Sequence, residues 1–225
     1  THAGGGYSRW QDIAVTRWRE DATRDHWGTF CYLRELPDGR ARPGAVPGRF
    51  WSSAYQPVLG RPERYQAIFS EGRAEFRRRD PVGAGDGSEP GYFETHTEIV
   101  VSPEDDIELR RIRITNRSRQ HRQVEITGYA EIAIAPAAMD EAHPAFSKLF
   151  VQTEILPGRQ AVLCTRRPRA PDERPPWMVH LLTPHGIEPL DASCETDRAR
   201  FIGRGRGTAD PLAMNTLDPL PGSAG

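Results

Sequence analysis

Apolar and polar residues alternate with a period of two along most of the chain, the spacing of half-buried strands. The cleanest run is Val124 to Pro136, with Val124, Ile126, Gly128, Ala130, Ile132 and Ile134 on one side and Glu125, Thr127, Tyr129 and Glu131 on the other. It predicts one long antiparallel strand. Further strands are predicted at Gly28–Leu36, Arg64–Ser70, Arg73–Asp80, Phe93–Ser102, Asp106–Asn116, Lys148–Leu156, Gln160–Arg166, Trp177–Thr183 and Ala199–Gly203. Glu71-Gly72 is a hairpin signal between two of them. In Asp106–Asn116 the apolar phase slips from odd to even positions, which predicts a bulge near Arg110-Arg111. Only Ala137–Ala142 suggests a helical turn.

Many short strands separated by turn signals predict an all-β fold, a single antiparallel sandwich over residues 1–225 with at most one short helix. Gly 21 and Pro 20 fit frequent turns and short elements. Two connections are Gly/Pro-rich, Pro37–Gly48 and Pro81–Gly91, and Arg166–Pro176 reads as an extended Arg/Pro segment.

Charge narrows the functional classes. Thirty basic against 31 acidic side chains leave a net charge of −1, without the positive excess that nucleic-acid binding needs. No apolar run approaches the ~18 residues of a membrane helix. Three cysteines in no paired spacing argue against a disulfide framework and for a reducing compartment. The chain opens at Thr1 and reads as a segment of something longer. Lys148 is the single lysine among the 30 basic residues, a bias that fits GC-rich coding.

The expected chemistry is sparse. The glycines 203, 205 and 207 lack the strand–helix context of a dinucleotide loop and read as a turn. His96 with Glu98, and His180 with His185, have no third partner at metal spacing, so neither metal nor other cofactor is expected. Arg77-Arg78-Arg79 and Arg110-Arg111 read as a solvated sheet face. Carboxylates are abundant, but their setting marks out no general acid. Two blocks differ. GGYSRWQDIAVTRW at Gly5–Trp18 groups Tyr7, Trp10 and Trp18 with Arg9, Asp12 and Arg17, which suits either a sugar-contacting surface or an interface. MDEAHPAFSKLF at Met139–Phe150 joins two predicted strands and holds the lysine.

Those blocks, with FWSSAYQP at Phe50–Pro57, ETHTEIVVSPEDDIELRRIRITNRS and EITGYAEIAIAPAAMDEAHPAFSKLFVQTE, resemble the N-terminal sandwich domain of glycoside hydrolase family 94, formerly glycosyltransferase family 36. The wording is similar to the phosphorylase-like part of cyclic β-1,2-glucan synthetases, over roughly residues 5 to 205. The resemblance implies a galactose-mutarotase-like β-supersandwich that supports a C-terminal (α/α) barrel acting on β-glucan. By the same resemblance the barrel holds the aspartate general acid and the phosphate-receiving residues. No catalytic residue is therefore expected in this chain, which should be inactive alone.

A loop of the family's sandwich domain reaches towards the acceptor subsite, and the matching stretch here is His143–Phe150. Lys148 replaces an arginine of the family pattern, keeping the charge but losing the bidentate fork. Arg9, Trp10, Asp12, Arg17, His143, Phe146 and Lys148 are the expected contacts to glucan or to the barrel. Homodimerisation is a further expectation, nucleic acid is not a partner, and the parent is expected at the cytoplasmic face of an inner membrane. A stand-alone β-glucan phosphorylase, or a pure assembly module, are the alternative settings for the domain.

Overall fold

The computed structural model describes residues 1–21, 23–36, 48–82, 91–187, 189 and 191–223. The Gly/Pro-rich connections expected at Pro37–Gly48 and Pro81–Gly91 lie, apart from their ends, outside the described residues. Thirteen strands, all paired antiparallel, and three short helices are described, and the chain divides into two compact units.

The first unit holds residues 1–6 and 20–129. Its strands are β3 (Phe30–Leu36), β4 (Phe50–Ser52), β5 (Arg64–Ser70), β6 (Arg73–Val82), β7 (Gly91–Val101), β8 (Glu108–Asn116) and β9 (Gln123–Tyr129). They form a three-stranded sheet β4-β3-β9 and a meander β5-β6-β7-β8. The core lies between the sheets: Cys31, Leu33 and Trp51 from one meet Val82 and Phe93 from the other. Trp51 and Phe93 stack with ring centres 5.5 Å apart. Fully burying side chains of this size stabilises by about 1.5–3 kcal/mol each, and β3 goes further by burying Phe30 to Arg34 in succession.

The predicted β5–β6 hairpin forms at Glu71-Gly72, with Gly72 at φ +70°, a conformation glycine adopts without strain. The predicted bulge in β8 does not. Its pairing with β7 is regular from Phe93↔Asn116 to Val101↔Glu108. The even residues Arg110, Ile112 and Ile114 all face inward, and Ile107 and Leu109 are left exposed at 56% and 58%. Arg110 is accommodated because its Nη1 donates to the Thr29 carbonyl at 2.7 Å. The polar residue took the inward slot that a bulge would have given to Leu109.

The basic run Arg77-Arg78-Arg79 also divides. Arg77 and Arg79 lie on the outer face, as expected, in a lattice with Glu75 and Glu94. Arg78 turns inward and makes a bidentate pair with Asp80 at 2.7 and 2.6 Å, both side chains fully buried.

The second unit holds residues 7–19 and 130–225. Strands β1 (Arg9–Trp10) and β2 (Ile13–Thr16) form a hairpin, which pairs through β2 with β10 (Ile132–Pro136). Strands β11 (Val151–Leu156), β12 (Ala161–Arg166) and β13 (Met178–Leu181) form a second sheet. The strand predicted over Val124–Pro136 is thus two strands, β9 and β10, in different units. Within β10 the register shifts between Ile132 and Ala135, and Ile134 has φ +47°. This bulge buries Ala133, Ile134 and Ala135 in succession, so strict alternation ends there.

Three helices replace the one expected. Helix α1 (Ala137–Ala142) occupies the predicted turn, and α2 (Pro144–Lys148) follows directly, with Pro144 at its first position. Helix α3 (Arg198–Ile202) lies where a strand was predicted. Asp197 caps it by accepting from the Ala199 and Arg200 amides at 2.8 and 3.4 Å, and Gly203 closes it at φ +86°. Adjacent Phe201 and Ile202 are both buried on this single turn.

Candidate functional site

The elbow formed by α1 and α2 is the best-built polar site in the second unit. Arg17, just beyond β2, pairs by its backbone with the next residue outward from β10: its N–H donates to the Glu131 carbonyl at 2.7 Å. Its guanidinium, 2% exposed, forks onto Asp140 of α1, with Nε–Oδ2 at 2.8 Å and Nη2–Oδ1 at 2.5 Å. The same group donates to Glu131 Oε2 at 3.3 Å and to the Pro144 carbonyl at 3.2 Å, the first residue of α2. One arginine thus holds both helices of the elbow. Arg19 adds donors to the Asp140 carboxylate and carbonyl, both at 2.7 Å.

Burial alone would raise the Asp140 pKa, but the hydrogen bonds from Arg17 and Arg19 outweigh it and bring it down to about 2. Burial likewise opposes the charge on Arg17, and the hydrogen bond and attraction of Asp140, with Glu131, leave its pKa raised. Charge-assisted fork geometry of this kind is stronger than a neutral hydrogen bond and offsets part of the cost of burying the arginine.

Glu131, 8% exposed, is the second hub. Besides Arg17 it holds Lys148 Nζ at 3.2 Å on Oε2 and Arg198 Nε at 2.7 Å on Oε1. Burial pushes the Lys148 pKa down, Glu131 opposing and the neighbouring Arg198 and Arg17 adding to it. Beneath α2, Arg166 Nη1 donates to the Ala133 and Ser147 carbonyls at 3.1 and 3.2 Å, and its guanidinium lies 5.3 Å from the Phe150 ring centre. Phe146 packs edge-on against Phe150 at 4.9 Å while staying 59% exposed.

The seven residues singled out in the sequence fall into two places. Arg17, Phe146 and Lys148 belong to the elbow, and so does His143, an exposed residue whose carbonyl accepts the Ser147 amide at 2.8 Å. Arg9, Trp10 and Asp12 lie at the tip of the β1–β2 hairpin. Arg9 folds onto its own turn, Nε donating to the Gln11 carbonyl at 2.6 Å. The four residues of β2 lie between Asp12 and Arg17, five steps or roughly 16 Å at the usual rise, so the tip and the elbow anchor are at opposite ends of the hairpin. Trp18 is stacked with Tyr7 at 5.4 Å.

Sequence reasoning missed Glu131, Asp140, Arg19, Arg166 and Arg198. Asp140 had no local signal, since Arg17 and Arg19 lie 123 and 121 residues away in the chain. Glu131 had none, since alternation placed it on a polar face.

Antiparallel strand pairing throughout, with sheets packed on a shared apolar core in the first unit, defines an all-β supersandwich protein. The chain belongs to glycosyl hydrolase family 94: the supersandwich domain of that family matches residues 1–225. It is 33% identical over all 225 residues to cyclic β-(1,2)-glucan synthase NdvB of Rhizobium meliloti (strain 1021). It is 26% identical over 163 residues, 68% of the chain, to N,N'-diacetylchitobiose phosphorylase of Vibrio furnissii. The chain spans 7% of the first relative's length and 18% of the second's, so both relatives are much larger proteins. Among the described residues no helix is long and apolar enough to cross a membrane.

Proposed function

We propose that this chain is the non-catalytic supersandwich domain of a larger cyclic β-1,2-glucan synthetase, where it supports a phosphorylase-like barrel that acts on β-1,2-glucan. Its α1–α2 elbow contacts the acceptor end of the glucan or the barrel surface beside it. The observation that carries this reading is the contrast within the elbow: a buried Arg17–Asp140 fork holds it rigid, while Phe146 and Lys148 are left accessible at its tip. An aromatic face beside a cation offers stacking and a hydrogen-bond donor to a sugar. The 33% identity to a cyclic glucan synthase over the whole chain supports the choice of parent.

The test is made in the full-length protein. Lys148→Ala removes one charge-assisted contact, worth about 1.5–3 kcal/mol, so the acceptor glucan concentration for half-maximal rate should rise by about tenfold or more. Phe146→Ala should act in the same direction. Unchanged acceptor dependence and unchanged product size in both variants would reject the reading. The similarity to a diacetylchitobiose phosphorylase favours, as a second setting, the same domain in a stand-alone phosphorylase, and activity on linear glucan with phosphate but no synthesis would select it.

A further inference from the structure

The elbow contains an asymmetry. Lys148, on α2, has a long and flexible stem, and an untethered surface lysine samples many rotamers, an entropy lost when it is fixed. Here its ammonium is tied at 3.2 Å to Glu131, a residue outside the elbow that precedes β10. Glu131 is itself nearly buried and is held from three sides: by backbone pairing with Arg17, by the Arg17 guanidinium, and by Arg198 on α3. The carboxylate therefore cannot swing out with the lysine. The lysine must come to it.

From this geometry we infer that Glu131 is a positioning residue, which fixes the Lys148 ammonium at the rim of the elbow in the orientation used for contact. Arg17 acts one step further back: with its side chain buried on Asp140 and Glu131, it positions rather than touches a ligand. The inference rests on the proposed role of Lys148, and it assigns that role's supporting partners. Arg198 shares the second oxygen of Glu131, so the carboxylate keeps a cation on each oxygen and does not need to reorient when Lys148 engages a sugar hydroxyl.

Lys148 is the single lysine of this chain, so acylation of its amine can be followed by peptide mapping in the full-length protein. In Glu131→Gln the amine loses its ionic tether and the charge that favours its protonated form. It should acylate at least about threefold faster than in the parent, a change equivalent to ~0.5 pKa unit. Acceptor kinetics are measured alongside. Glu131→Gln should raise the half-saturating acceptor concentration, and adding it to Lys148→Ala should cause no further rise, since both act through one contact. A merely structural role would instead give additive losses with an unchanged acylation rate. Unaltered acylation in a folded Glu131→Gln protein overturns the positioning role. Faster acylation with Lys148→Ala leaving the acceptor dependence untouched keeps the tether but overturns the function built on it. Should Glu131→Gln fail to fold, Glu131→Asp, which retains charge but draws the carboxylate back by one methylene, gives the same readout at smaller amplitude.

Discussion

Each unit buries an arginine–aspartate pair, and the two pairs do different work. Arg78 and Asp80 are two residues apart on one strand, side by side on its inner face, and both are sealed at 0% exposure. Arg17 and Asp140 are 123 residues apart and join the first hairpin of the second unit to the helix that follows β10. The local pair adds a polar patch to a sheet whose place is already set by Trp51, Leu33 and Phe93. The distant pair determines where an elbow sits that has little apolar anchorage of its own. Phe146 and Leu149 are exposed, and the buried residues of the two elbow helices are Asp140 and Ser147. Buried ion pairs contribute little net stability but are costly to break, which makes them suited to fixing geometry.

Breaking each pair sharpens the contrast. Asp80→Ala strands Arg78 in a fully desolvated site and should cost about 3–5 kcal/mol in denaturant unfolding. Asp140→Ala leaves Arg17 its second partner, Glu131, so the loss should fall at the low end, about 3 kcal/mol, and centre on the elbow. An effect of Asp140→Ala larger than that of Asp80→Ala would invert the comparison.

Acid should separate the units by a smaller margin. The Asp140 pKa is depressed to about 2, below its ordinary value of 3.8. A depressed carboxyl contributes stability that is complete above the unfolded-state value and lost as pH falls through the folded one. Stability of the elbow should therefore decline between about pH 4 and pH 2. In Asp140→Asn that part of the acid dependence should vanish, and an acid limb identical to the parent's would contradict the assignment.

The smallest effect belongs to the outer face of the β5–β8 sheet. Arg111→Ala removes one cation from Glu98, which keeps Arg73 at 3.5 Å. Exposed pairs contribute little, so the unfolding midpoint should match the parent's within measurement error.

The same contrast explains what could be read from the sequence. Strands β3 and β5 to β7, together with the β5–β6 hairpin, were legible because short apolar or alternating runs bounded by turn residues report strands, as a continuous apolar run in β3 and as alternation in β7. The likeness to the family's sandwich domain was legible as well, in long blocks such as Gly5–Trp18 and Met139–Phe150. Alternation failed where the inward residue is charged. The pattern puts Arg78 and Arg110 in solvent and needs a bulge to bring Leu109 inside. It failed again at Ala133–Ala135, where a bulge buries consecutive residues, and at α3, where a five-residue run has no period to measure. Lys148, Phe146 and Arg17 were singled out, yet the carboxylates that organise them were not. Their partners lie more than 100 residues away or on a strand end, and no local spacing encodes such a meeting.

Amide hydrogen exchange on the full-length protein, parent against Asp140→Ala, tests the central claim most directly. The account predicts that the amides of Ser147 and Leu149, hydrogen-bonded to the His143 and Phe146 carbonyls, lose protection in the variant, while those of β3 and β9 keep theirs. Elbow amides protected equally in both proteins would contradict it, because the ion network would then not be what holds the elbow in place.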